Sequence, residues 1–345
     1  MNAAPANHRP WLSRFIWSLA ALTLFLICSG GLVTSKGVGL AVPDWPTTFG
    51  YNMFAFPFSQ WVGGVFFEHS HRLIASAVGL FTIILAVWLW RADSRKWMRV
   101  LGVVALGAVI VQGVLGGLRV TMLKDEIGIF HACLAQAFLC LLVFIGLARS
   151  RVWNAAPVHS TSGPLWLAIA TTFLIFAQLA LGATMRHQHR DLAILDFPAA
   201  YGQVIPDVSA ENLATINRWR TAHALSEVDA GHIWLQMAHR IGAVIISAGL
   251  IWYAIALRRT ARPLRTLLTL SSVWIFLLAL QVTLGAWTIW TNKAADVATA
   301  HVAVGATMLT LGVSIWAISA RVQASRPASA MIPQTAPVAE SAHAV

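Results

Sequence analysis

The chain has 345 residues, of which 58% are hydrophobic and only 11% charged, and it carries a formal net charge of +11. Apolar runs of about 18 or more residues recur along it, which excludes a soluble globular domain and reads as an integral membrane protein in contact with lipid. The Lys and Arg residues sit in short clusters between the apolar runs, where they set membrane topology, so the basic excess does not point to nucleic acid.

The N-terminal stretch MNAAPANHRPWLSR runs straight into an apolar segment and has no small-residue cleavage site at signal-peptide length, so the first helix is expected to be retained. Eight spans are predicted, at 15–34, 62–90, 98–118, 128–148, 164–185, 232–257, 265–290 and 297–320. Each meets the length of about 20 residues that crosses the hydrocarbon. Only helices or closed barrels can span, and nothing alternates with period two, so the fold class is an all-α bundle. Arg9, Arg14, RADSRKWMR after the second span, Arg149, Arg151, RRTARPLR after the sixth, Arg321 and Arg326 all fall on one side. That side is then cytoplasmic and holds both termini, while the long segments 35–61 and 186–231 lie outside. Cys28, Cys133 and Cys140 lie within apolar segments and imply no disulfide framework. The Ala-, Pro- and Ser-rich tail, 326–345, is expected to be disordered.

The halves of the chain match. HRLIASAVGL at 71–80 resembles HRIGAVIISAGL at 239–250, VQGVLGG at 111–117 resembles LQVTLGA at 280–286, and FHACLAQA at 130–137 resembles AHVAVGAT at 300–307. The outer segments share Asp-aromatic-Pro-x-x-aromatic-Gly, as DWPTTFG at 44–50 and DFPAAYG at 196–202. These matches predict two tandem four-helix bundles, 1–150 and 151–325, related by a pseudo-two-fold axis along the membrane normal.

Four histidines fall at equivalent places in the repeat: His71 with His239, and His131 with His301. Each lies four to ten residues in from the outer end of its helix, at similar depth. Two imidazoles on facing helices at one depth suit bis-histidine haem ligation. Each alone has a plainer reading, a hydrogen bond to a neighbouring helix. Four in register favour function, because intramembrane ionisable groups are expensive. Gly79, Gly116, Gly117, Gly242, Gly285 and Gly305 would let a flat macrocycle approach the backbone. Arg72 and Arg240 follow the first histidine of each pair; a haem propionate would partner them, or they snorkel to the headgroups. No His-Glu-x-x-His is present, and no cysteine accompanies the histidines at ligand spacing, so zinc is disfavoured.

Glu68 lies three residues before His71, on the same helix face, where the second half has Gln236. A duplicated pair with one acid suggests divided labour, chemistry in one pocket and a fixed cofactor in the other. Glu68 can also pair with Arg72 at i, i+4, and the two roles are compatible. His69 has Met237 as its counterpart, points to another face and is left out of the site; His187, His189, His223 and His232 belong in or beside the second long segment.

GGLVTSKGVGLAVPDWP, EHSHR, LGGLRVT with GIFHACLAQ, QMAHR and AHVAVGA together resemble the haem A synthase family, over roughly residues 15 to 320. The resemblance implies oxidation of one methyl group of haem O, through successive hydroxylations and loss of water, to the formyl group of haem A for haem-copper oxidases. It implies a permanent haem b on His239 and His301, substrate haem on His71 and His131, and a catalytic Glu68 in a bacterial inner membrane. Partners would be haem O synthase and oxidase assembly factors. Many bacterial relatives carry a cysteine pair in the first outer segment, but 35–61 has none, so a thiol mechanism there is not open to this chain. Two other readings use parts of the same pattern. A di-haem membrane cytochrome taking electrons from quinol would need the four histidines but not the Glu68/Gln236 asymmetry. A transporter on a parallel repeat would need broken helices, and no strong Gly/Pro interruption falls in mid-span.

Overall fold

A computed structural model describes residues 10–154, 161–188, 190 and 192–324. Among these the regular structure is helical, with isolated bridges in place of strands. The helices are α1 (Pro10–Ser35), α2 (Gly63–Ala92), α3 (Lys96–Met122), α4 (Asp125–Ala148), a single turn α5 (Arg151–Asn154), α6 (Leu165–His187), α7 (Ala210–Ala222), α8 (Ala230–Arg259), α9 (Arg265–Trp290) and α10 (Ala295–Ala324). Eight of them, all but α5 and α7, are long and apolar enough to cross a membrane, which makes this a multi-pass membrane protein.

Most spans outrun their predicted bounds by a few residues, because hydropathy marks the hydrocarbon-crossing part and the helix continues into the headgroups. α7 lies in a segment read from sequence as loop. Ser209 caps it by accepting from the Asn212 N–H, and Arg220 from its last turn donates to the carbonyls of Ser226, Leu192 and Ala193. Helix α7 is too polar to show as an apolar stripe. It packs through Ile216 into a small outer core with Ile194, Val228, Ile233 and Met237. The expected disorder of 326–345 lies outside the described residues.

In the first half, α1 packs on α2, α2 on α3, α3 on α4, and α4 back on α1. In the second, α6, α8, α9 and α10 close a ring in the same way. The rings join where α1 meets α10 and α4 meets α6 and α10. The cores interlock there: Leu147 of α4 belongs to the second-half core, and Ala306 of α10 to the first. Around the rim, Phe173, Val244 and Phe276 stand 69%, 69% and 67% exposed on spans, as lipid-facing side chains do. On the end expected to be cytoplasmic, the buried Asp93 pairs with Arg149 and Arg95, and Arg95 also donates to the Ala148 carbonyl, tying α2 to the end of α4.

Candidate functional site

The two Asp-aromatic-Pro-x-x-aromatic-Gly motifs fold alike. Asp44 accepts from the N–H groups of Phe49 and Gly50, both at 2.8 Å. Asp196 accepts from Tyr201 and Gly202 at 2.7 and 2.8 Å. Phe49 and Gly50 take φ of 50° and 79°, and Tyr201 and Gly202 take 54° and 77°, left-handed backbone that explains the glycine. Burial alone would raise the Asp44 pKa. The Gly50 N–H, the Thr47 hydroxyl and the Phe49 N–H outweigh it and hold the carboxyl below its ordinary value.

Each loop is strapped to the helix behind it by the residues singled out from sequence. Arg72 donates to the carbonyls of Asp44, Thr47 and Val42 and to Glu68. Arg240 donates to those of Asp196 and Ala199, with its guanidinium over the Phe197 ring at 5.5 Å. Both arginines are engaged by the carbonyls of their own loop. Glu68 is buried; its Oε1 is 2.7 Å from Arg72, and its Oε2 accepts from the Val42 N–H at 2.9 Å. Gln236 occupies the same place, accepting from the Ile194 N–H at 2.7 Å and donating to the Ile194 carbonyl at 3.2 Å.

Behind the straps stand the four histidines. His71 and His239 lie eight and nine residues into α2 and α8; His131 and His301 lie six into α4 and α10. At about 1.5 Å per residue, all four sit at about the same depth from one end of the bundle. The ring centres of His239 and His301 are 6.5 Å apart. A metal–imidazole bond is about 2 Å, so that separation accommodates one metal atom between two rings. His71 and His131 are electrostatic neighbours.

A glycine on an adjacent helix faces each imidazole. A Cβ on Gly30, Gly116, Gly182 or Gly285 would lie 2.9, 3.2, 3.4 or 3.2 Å from the Cε1 of His71, His131, His239 or His301. Of the glycines named from sequence, Gly116 and Gly285 hold this place. Gly117 meets Trp45, Gly242 meets Gln178, Gly305 meets Leu179 and Gln281, and a Cβ on Gly79 would meet nothing. The Nδ1 atoms of all four histidines are buried with no hydrogen-bond partner. Burying a polar atom unpaired is costly, so one orphan at four matched positions fits a site built for a bound group. Bis-histidine haem, flat and apolar, fits this donor set and these glycine faces. Among the described residues, no group of three or more His, Cys, Asp or Glu side chains could hold a metal ion.

Several polar side chains around the imidazoles escaped the sequence reading. Gln112 donates to the His131 carbonyl at 2.9 Å, Gln178 to the His239 carbonyl at 2.6 Å, and the Gln281 amide lies 3.4 Å from the His301 Nε2. Gln112 and Gln281 lie in the repeated stretches, so the duplication held a signal for them. His69 is fully buried against the first outer loop, with its Nδ1 3.2 Å from the Thr48 hydroxyl and its ring on Trp61 and Phe56. It anchors that loop, as Met237 packs with Ala193, Ile194 and Ala200 of the second loop in the small outer core. His187 is buried, His223 stacks on Trp219, and His232 completes the cap of α8 with Asp229; His189 lies outside the described residues. The three cysteines are free thiols within helices.

Residues 13–313 match the model of the COX15-CtaA family, cytochrome oxidase assembly protein. The chain is 28% identical to a haem A synthase of Shouchella clausii, over 79% of this chain and 84% of that one. It is 25% identical to one of Geobacillus kaustophilus, over 83% and 85%. It is 31% identical to one of Rhodopseudomonas palustris, over 71% and 66%.

Proposed function

Because the chain belongs to the COX15-CtaA family of cytochrome oxidase assembly proteins, we propose that it acts as a haem A synthase, oxidising a methyl group of haem O to the formyl group of haem A. The observation that carries this reading is the matched set of buried imidazoles, each with an orphaned Nδ1 and a glycine at its face, in a chain whose relatives are haem A synthases. The quinol-oxidising di-haem cytochrome uses the same histidines but finds no support among those relatives.

In this reading His239 and His301 hold a resident haem b in the second bundle, and His71 with His131 orients haem O in the first. The two bundles, 1–150 and 151–325, are copies about a two-fold axis along the membrane normal. The contacts of α1 with α10 and of α6 with α4 support it, because such an axis exchanges them. The iron, when bound, supplies the oxidation chemistry. The chain's own residues bind, orient and handle protons. Gly30, Gly116, Gly182 and Gly285 leave the imidazole faces open, and the strapped outer loops exclude water. Arg72 and Arg240 belong to the haem-binding machinery through those loops. Glu68 is the catalytic residue, a carboxylate beside the substrate pocket that carries a proton or offsets positive charge developing at the methyl carbon.

The protein then resides in the bacterial plasma membrane with both termini cytoplasmic. It works between haem O synthase and the assembly factors of haem-copper oxidases. The test is to incubate the purified protein with haem O, reductant and oxygen and to analyse the extracted porphyrins. Haem A or a hydroxylated precursor is expected; recovery of haem O alone, with only electron transfer from quinol, would sink the reading.

A further inference from the structure

Among the described residues, Arg119 is a cation close to the histidines of the first bundle that the loop straps do not explain. It lies in the last turn of α3, three residues beyond Gly116, whose face touches His131. The first outer loop closes over it: a Cβ on Gly39 would sit 3.0 Å from its Nη2, and next door a Cβ on Gly117 would collide with Trp45. It is within electrostatic range of the carboxylates of Glu68 and Asp125 and of His71 and His131, and it forms an ion pair with neither carboxylate. Among the described residues its guanidinium makes no hydrogen bond and no ion pair. Glu68 does not answer it, because its two oxygens are taken by Arg72 and the Val42 N–H. A half-buried guanidinium under a loop, with five donors unmatched, calls for an anion.

The equivalent place in the second bundle holds no cation. Gln112 and Gly116 correspond to Gln281 and Gly285 at an offset of 169, which puts Thr288 opposite Arg119. The Thr288 hydroxyl donates to the Leu284 carbonyl at 2.8 Å. Arg186, the arginine whose charge reaches His301, is bound to the Gly31 carbonyl and the Ser35 hydroxyl of α1. The two pockets therefore differ in a free cation as well as in the acid at Glu68.

We propose that Arg119 is the carboxylate clamp of the first pocket, gripping a propionate of the substrate haem and so fixing which porphyrin edge faces Glu68. This rests on the assignment of the first pocket to a haem substrate. A propionic carboxyl with a pKa of about 4 is ionised at neutral pH, and a planar guanidinium binds a carboxylate through two parallel N–H donors. Arg72 does not serve, since its donors hold the loop. Arg119 is a positioning residue for the reaction; the anchored propionate sets the rotation of the macrocycle about the His71–His131 direction.

The test titrates the purified protein, with its resident haem in place, with haem O and with the haem O dimethyl ester, following the visible difference spectrum. The wild type should bind the free acid tighter than the diester by roughly tenfold to a hundredfold, the range for a hydrogen-bonded charge pair. Arg119→Gln should erase that preference by weakening only the free acid. Arg119→Lys should keep part of it, as a point charge without the fork. Because the readout is a ratio of two ligands on one protein, misfolding cannot imitate it. Arg119→Gln that keeps the wild-type preference, or a wild type that has none, overturns the clamp while leaving the pocket standing. Binding of neither ligand, or binding unaltered by His71→Ala, overturns the pocket assignment itself and the clamp with it.

Discussion

Glu68 and Gln236 make the same bond to equivalent loops: the Val42 N–H donates to Glu68 at 2.9 Å, and the Ile194 N–H donates to Gln236 at 2.7 Å. Clamping the loop therefore does not require an acid, since an amide does it in the second bundle. The carboxylate of the first bundle is a surplus over that task, and its ion pair with Arg72 is the local consequence.

Glu68→Gln should accordingly keep the loop closed, since glutamine can accept from the Val42 N–H as Gln236 does from Ile194. Expression, thermal midpoint and haem b content are expected to stay near wild type while haem A formation is blocked and a hydroxylated intermediate builds up. The ratio of haem A formed to haem b bound measures this; a wild-type ratio removes Glu68 from the chemistry.

His239→Ala and His301→Ala should each lower the content of low-spin haem b, and the double variant should abolish it. Absorption spectra of purified protein report the outcome. A double variant with a normal low-spin spectrum and full haem content would place the resident haem elsewhere.

The glycine faces separate the two pockets. Gly285→Val puts branched carbons where a Cβ already lies 3.2 Å from the His301 Cε1, and it should reduce haem b occupancy. Gly116→Val does the same to His131 and should spare haem b while weakening haem O binding. Equal losses in both variants would argue for general misfolding.

Asp93 holds the α2–α3 corner. Burial alone would raise its pKa, but hydrogen bonds from Arg95 and the charges of Arg95 and Arg149 overcome this and hold it low. A depressed carboxylate adds stability that is present above its unfolded value, about 3.9, and lost as pH falls through the lower folded value. Asp93→Asn removes the charge that Arg149 and Arg95 pair with at a buried site and should destabilise the protein by about 3 kcal/mol near neutral pH. Thermal midpoints in detergent should show the gap between wild type and variant narrowing as the pH is lowered through the folded pKa. A gap that widens on acidification contradicts the assignment.

Reporter fusions should place the α2–α3 and α8–α9 connections, 91–97 and 258–265, in the cytoplasm, and positions 40–60 and 190–225 outside. The opposite pattern would reverse the bundle and put the histidines at the inner leaflet.

Much of this was legible in the sequence because membrane spans and repeats are local patterns. Long apolar runs must be helical in lipid, and an approximate copy of His71, His131 and their neighbours in the second half exposes the paired imidazoles without any knowledge of contacts. Helix α7 was not legible, because its stability comes from a cap and from contacts of Ile216 and Arg220 with distant loop residues. Nor could the string of residues tell Arg72 from Arg119. Both are arginines near the outer end of a span, and only the tertiary structure decides that the first is consumed by the loop carbonyls of Val42, Asp44 and Thr47 while the second, among the described residues, makes no such bond. A side chain's charge is written in sequence, but its partner is set by how the chain returns in space, and the partner determines what that charge can do.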